Sequence, residues 1–125
     1  MKIVATDGAP KVIGPYCQAI AHAGLVYCSG QIPLDPETMR VVAGGIEAQT
    51  ERVLENLAAV LKAAGSDVTK VLKTTVFLSS LEDFPKMNAA YQRAFAGHAP
   101  ARSTVQVARL PLDVLVEIEC IAVAG

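Results

Sequence analysis

With 125 residues, 52% of them hydrophobic, and a formal net charge of −1, the chain is sized for one domain spanning residues 1–125 around a single core. Its 11 basic and 12 acidic residues are interspersed and aromatics make up 5%, which argues against the basic stripe and stacking platforms of a nucleic-acid binder. The opening MKIVATDGAP lacks an apolar run after its lysine, and no apolar stretch approaches the roughly 20 residues of a membrane span, so a cytoplasmic protein without a membrane partner is expected.

Residues 2–6, KIVAT, read as a short strand, and the Gly- and Pro-containing DGAPKVIGP as a loop. YCQAIAHAGLVYCSGQIPLDP has the form of a hairpin turning near HAG. A second loop, LDPETMRVVAGG, leads into the clearest helix, residues 46–64. There Ile46, Thr50, Val53, Leu57, Val60, Leu61 and Ala64 recur at i, i+3, i+4 spacing, and Gly65 follows as a stop. VLKTTVFLSS, rich in β-branched residues, predicts a strand over 71–80, with Ser79 and Ser80 as strand-end or capping residues. EDFPKMNAAYQRAF predicts a second helix, with Pro85 in its first turn and Phe84, Met87, Tyr91 and Phe95 as contacts. Two strands, 102–108 and about 114–124, close the chain across RLPLD.

Two helices are too few to cover both faces of a six-stranded sheet. An α+β sandwich with both helices on one face is therefore expected, and the high apolar content suggests that another subunit covers the bare face.

Strand alternation then places the charges. Val116, Ile118, Cys120 and Ala122 form an apolar face suited to the helices, while Leu115, Glu117, Glu119 and Ile121 share the other. Matching the apolar faces of the last two strands puts Arg102, Thr104 and Gln106 on the side of Glu117 and Glu119, away from the helices. Such a face can be solvated, can hold an ion pair at a subunit boundary, or can form a site in which arginine grips a carboxylate ligand and a glutamate moves a proton. Parity does not choose among these.

The remaining chemistry-bearing residues read more plainly. Cys17, Cys28 and Cys120 form no CxxC pair and are expected as buried, reduced thiols. His22 and His98 lack ligand spacing and read as turn or surface residues; Gly44-Gly45 lacks a phosphate-loop context. Lys73 reads as a snorkelling side chain on its strand, the alternative being a place in the interior of an oligomer. No metal or cofactor is expected.

IGPYCQAI (13–20), VYCSGQIPLDPET (26–38), KTTVFLSSLEDFPKMNAAY (73–91) and PARSTVQVARLPLDVLVEIECIA (100–122) together resemble the Rid family of reactive-intermediate (enamine/imine) deaminases, also called the YjgF family. The resemblance runs in register along essentially the whole chain, and the PARS…VARLP.D…VEIE block is its most specific part. It implies a chorismate-mutase-like α+β fold, assembled as a homotrimer around a central barrel with ligand sites in the clefts between subunits. It also implies cofactor-free hydrolysis of 2-aminoacrylate or 2-aminocrotonate, released by pyridoxal-phosphate enzymes, to a 2-keto acid and ammonia. By the same resemblance Arg102 clamps the substrate carboxylate and Glu117 orients water and handles protons. Tyr16 lines the cleft, Ser29 and Gly30 form its polar wall, and Asn88 stands at its rim. Thr104 occupies a position that is often cysteine in the family, where its backbone N–H can serve a substrate oxygen. The loop AGHAPA before Arg102 is shorter than in many members, which alters the pocket mouth. A non-catalytic protein of the same fold that binds a small carboxylate is the alternative; nuclease action is disfavoured by the charge distribution.

Overall fold

Six strands form one sheet in the computed structural model, which covers residues 1–125: β1 (Lys2–Val4), β2 (Ala19–His22), β3 (Leu25–Gln31), β4 (Val71–Leu78), β5 (Ala101–Gln106) and β6 (Val116–Val123). Their spatial order is β1-β2-β3-β6-β4-β5. Two helices, α1 (Ile46–Ala63) and α2 (Phe84–Phe95), pack on one face, as the element count required.

Local chemistry sets the ends of these elements. The hairpin β2–β3 turns at Ala23-Gly24, both with positive φ. Helix α1 stops where Ala64 caps it and Gly65 takes φ +77°, a left-handed conformation that glycine adopts without a Cβ penalty. The Ser80 side chain accepts the Glu82 N–H and caps a short 3-10 turn, Leu81–Asp83, that leads into α2 with Pro85 in its first turn.

The core lies between sheet and helices. Val26, Val76, Leu78, Val116, Ile118 and Ala122 from the sheet meet Val53, Leu57, Val60 and Leu61 of α1 and Met87, Tyr91 and Phe95 of α2, all buried. Cys28 and Cys120 are buried cross-strand partners in this layer, while Cys17 is half-buried. Fully buried Asn56 donates to the carbonyls of Leu34 (3.0 Å) and Ile32 (3.3 Å) and accepts from Arg52, which fastens α1 to the loop after β3.

The closing strands differ from the sequence-based expectation in a way that bears on the site. They do not pair with each other. Strand β5 runs parallel to β4 at the sheet edge, with α2 as the crossover between them, and β6 inserts between β3 and β4. The register pairs Arg102 with Thr74, Thr104 with Val76 and Gln106 with Leu78. Those β4 residues pair in turn with Cys120, Ile118 and Val116. Residues opposite one another in a ladder share a face, so Arg102, Thr104 and Gln106 lie on the helix face. Glu117 and Glu119 pair with Phe77 and Thr75 and lie on the open face. The expectation that the arginine and the glutamates share one face is therefore corrected. The apolar row of β5 does not face the helices either: Val105 is 42% exposed on the open side. The reason is position, because an edge strand reaches past the core and its helix-side row can carry polar groups.

The open face is mixed. Tyr27, Phe77, Ile121 and Val105 are only partly covered and stand among Lys73, Thr75, Glu117 and Glu119. No helix is long and apolar enough to cross a membrane.

Candidate active site

The predicted site residues collect into two groups, one on each face of the sheet. The first surrounds Arg102. Its guanidinium carbon lies 4.8 Å from the Tyr91 ring centroid and 5.5 Å from that of Phe84. Each such stacking contributes about 0.5–1 kcal/mol at a partly exposed position. Tyr91 is itself held by a 2.7 Å hydrogen bond between its hydroxyl and that of Thr74, and burial raises its pKa. Arg102 makes none of the chain's ion pairs, which are Arg52–Glu55, Arg93–Glu51 and Arg109–Asp113. A planar fork of donors is thus held in place by two rings with no internal carboxylate to satisfy it, an arrangement suited to a carboxylate ligand.

Asn88 and Thr104 flank this arginine. Asn88 lines the same basin as Arg102 and Tyr91. The Asn88 Oδ1 and the Thr104 Oγ1 are buried without a hydrogen-bond partner. His98, expected at a turn or surface, is instead half-buried on this basin, with its Nε2 2.7 Å from the Val71 carbonyl and its ring 6.2 Å from that of Phe95. Its sequence neighbourhood gave no sign of this, because the contact spans 27 positions.

The second group surrounds Glu117 on the open face, in a cavity of about 700 Å³ that also takes in Tyr16, Ser29, Gly30 and Glu119. A β-bulge between Cys28 and Gln31 places Gly30 directly against Glu117. A Cβ at Gly30 would lie 2.1 Å from the Glu117 Oε2, so only glycine leaves room for the carboxylate. Burial, and secondarily the neighbouring Glu119 charge, holds the Glu117 carboxyl above the usual glutamate range. Tyr16 is 54% exposed at the mouth. The Ser29 hydroxyl donates to the Cys17 carbonyl at 2.6 Å and its N–H to the Gln18 carbonyl at 3.0 Å. Ser29 therefore ties the Tyr16 loop to β3. Gln18 anchors the other side of that loop, accepting the Thr6 N–H and donating to the Thr6 and Pro10 carbonyls.

Within one chain, then, the unpaired Arg102 guanidinium and the half-buried Glu117 carboxyl lie on opposite faces of the sheet. No group of three or more His, Cys, Asp or Glu is arranged to hold a metal ion.

Comparison with known proteins identifies the fold and the family. A family model described as Endoribonuclease L-PSP matches residues 6–124. The chloroplastic Reactive Intermediate Deaminase A of Arabidopsis thaliana is 49% identical over 97% of this chain and 65% of the longer plant chain. Among solved structures, the YjgF gene product of E. coli superposes with a TM-score of 0.95 at 46% identity, and E. coli TdcF with bound serine with 0.95 at 44%, each covering 100% of both chains. The chain belongs to the Rid (YjgF) family.

Proposed function

We propose that the protein is an enamine/imine deaminase that hydrolyses 2-aminoacrylate and 2-aminocrotonate, as their imine tautomers, to 2-keto acids and ammonia. The observation that carries the reading is the half-buried Glu117 carboxyl, unpaired, held above its usual pKa range and seated against Gly30. A carboxyl in that state holds a proton more readily than an ordinary glutamate and can both take and return it. The plant relative's name, a reactive-intermediate deaminase, supports the same chemistry.

The reaction needs little machinery. A protonated imine carbon is already electrophilic, so positioning water supplies much of what is required. Arg102 binds the substrate carboxylate. Glu117 takes a proton from water as its oxygen bonds to the imine carbon, giving a carbinolamine. Glu117 then returns the proton to nitrogen, and as the C–N bond breaks it takes the carbinolamine hydroxyl proton, so that ammonia leaves and the carbonyl forms.

Arg102 and Glu117 lie on opposite faces of the sheet, so we place each complete site between subunits: Arg102, Asn88 and Thr104 from one, Tyr16, Ser29, Gly30 and Glu117 of the partner subunit. A cyclic homotrimer, with the open faces turned inward as a barrel, supplies three such sites and covers the exposed apolar row of Tyr27, Phe77, Val105 and Ile121. The chain acts in this reading as one cytoplasmic domain over residues 1–125 and uses no cofactor. The bound serine in TdcF favours a second reading, a carboxylate-binding protein without turnover. Endonuclease action, which the family description names, fits poorly, because the basic and acidic residues are interspersed and form no basic stripe.

The test is release of 2-keto acid from a threonine dehydratase reaction with the free imine trapped. The protein is expected to accelerate release, and Arg102→Ala to abolish the acceleration. Full activity in that variant would sink the assignment; binding of 2-keto acids without acceleration would favour the second reading.

A further inference from the structure

We propose that the basin beside Arg102 is a side-chain subsite selecting imines that carry a short carboxamide, an inference that rests on the deaminase reading. On the single chain the basin is an open groove of about 640 Å³ that runs from Arg102 along α2, so a substrate held at the arginine can reach it with its side chain. Asn88 and Gln92, one turn apart on α2, present two amides to it, the loop Gly97–Pro100 forms the opposite wall, and Arg102 stands at its edge.

The basin is preformed. Tyr91 is fixed by Thr74. The His98 backbone N–H donates to the Phe95 carbonyl at 3.0 Å. Its Nε2 must carry the proton it gives to the Val71 carbonyl, since that carbonyl can only accept, so the tautomer and the loop are set together.

The lining that this chain supplies has one permanent cation, Arg102, and no carboxylate. That cation is engaged by the substrate's own carboxylate in the deaminase reading. Among the basin's own residues a second carboxylate on the side chain would find no free cation of fixed charge. An aliphatic side chain would cover two amides without satisfying them, which costs binding. Asn88 has unused capacity, since its Oδ1 is unpartnered. Rotation of its amide about a broad, two-fold torsion exchanges oxygen and nitrogen toward the basin. A carboxamide offers donors and an acceptor together and can pair with an amide in either orientation. The cavity around Glu117 differs, being walled by Ile13, Ile32, Leu34 and Met39.

Calorimetry on the intact protein tests this with two 2-oxo acids of matched side-chain shape, 2-oxosuccinamate and 4-methyl-2-oxopentanoate. The carboxamide is expected to bind about tenfold or more tightly than the aliphatic acid. Gln92→Leu, at an exposed position that leaves the fold intact, should narrow the ratio several-fold, as should Asn88→Leu. Equal affinities, a preference for the aliphatic acid, or a ratio unchanged in both variants would overturn the subsite. 2-Aminoacrylate hydrolysis is measured alongside. If wild type is active and loses activity in Arg102→Ala but lacks the preference, the subsite alone fails. If wild type is inactive, the deaminase reading fails and the subsite with it.

Discussion

At the scale of single residues, Gly30 and Glu117 act as a unit. Gly30 is needed for space, since a Cβ there would lie 2.1 Å from the Glu117 Oε2. Gly30→Ala should therefore displace the carboxylate and lower imine hydrolysis by at least about tenfold, a loss of ~1.4 kcal/mol in transition-state stabilisation. Circular dichroism is expected to show the fold retained. Glu117→Gln should abolish hydrolysis as well, yet its effect on stability has the opposite sign. The folded-state pKa of Glu117 is raised, chiefly by burial. The folded protein therefore binds more protons than the unfolded chain between the ordinary and the raised value, and stability falls as pH rises through that window. Above it, removing the ionisable group removes the penalty. Scanning calorimetry should find Glu117→Gln melting higher than wild type at pH 8, with the gap closing at pH 4; a gap that widened at pH 4 would contradict the assigned shift.

At the scale of elements, the β4–α2–β5 unit positions Arg102. Tyr91 carries the Arg102 guanidinium on its ring and its hydroxyl bonds to buried Thr74. Tyr91→Phe keeps the ring and strands the Thr74 hydroxyl. The expected cost is about 1 kcal/mol, or roughly 3–6 °C in melting midpoint, with hydrolysis changed less than in Arg102→Ala. Thermal denaturation and kinetics on the same sample separate the two effects. This unit is also where the sequence was least legible. Helix α1 and the β2–β3 hairpin announce themselves through periodicity and turn chemistry, which are local. The face that β5 presents depends on its neighbour. Polar Arg102, Thr104 and Gln106 would share the face of Glu117 and Glu119 if β5 packed like a core strand, but β5 lies at the edge and pairs in parallel with β4. No local pattern encodes that crossover. The blocks containing GPY, CSGQ, PARS and VEIE named Tyr16, Gly30, Arg102 and Glu117 without it. The inward position of His98 was not legible because it depends on the Val71 carbonyl 27 positions away, and Gln92 joins the basin only through the loop Gly97–Pro100 that faces it.

At the scale of the whole molecule, two half-sites on opposite faces of one sheet make a prediction that no single-chain site shares. If Arg102 of one subunit works with Glu117 of the partner subunit, Arg102→Ala and Glu117→Gln chains are each inactive alone but defective in different halves of the site. Mixing equal amounts, unfolding and refolding them together assembles trimers at random. A site is whole when its arginine comes from a Glu117→Gln chain and its glutamate from an Arg102→Ala chain, so about one quarter of sites regain both groups in a closed cyclic assembly. Activity of about one quarter of wild type is the expected outcome, with a mass of three chains by analytical ultracentrifugation. A site confined to one chain would leave every mixture inactive, because no chain then holds both groups. The same mixture prepared without unfolding should stay inactive until subunits exchange, and the rate at which activity appears then measures how tightly the open faces of the sheets are held together.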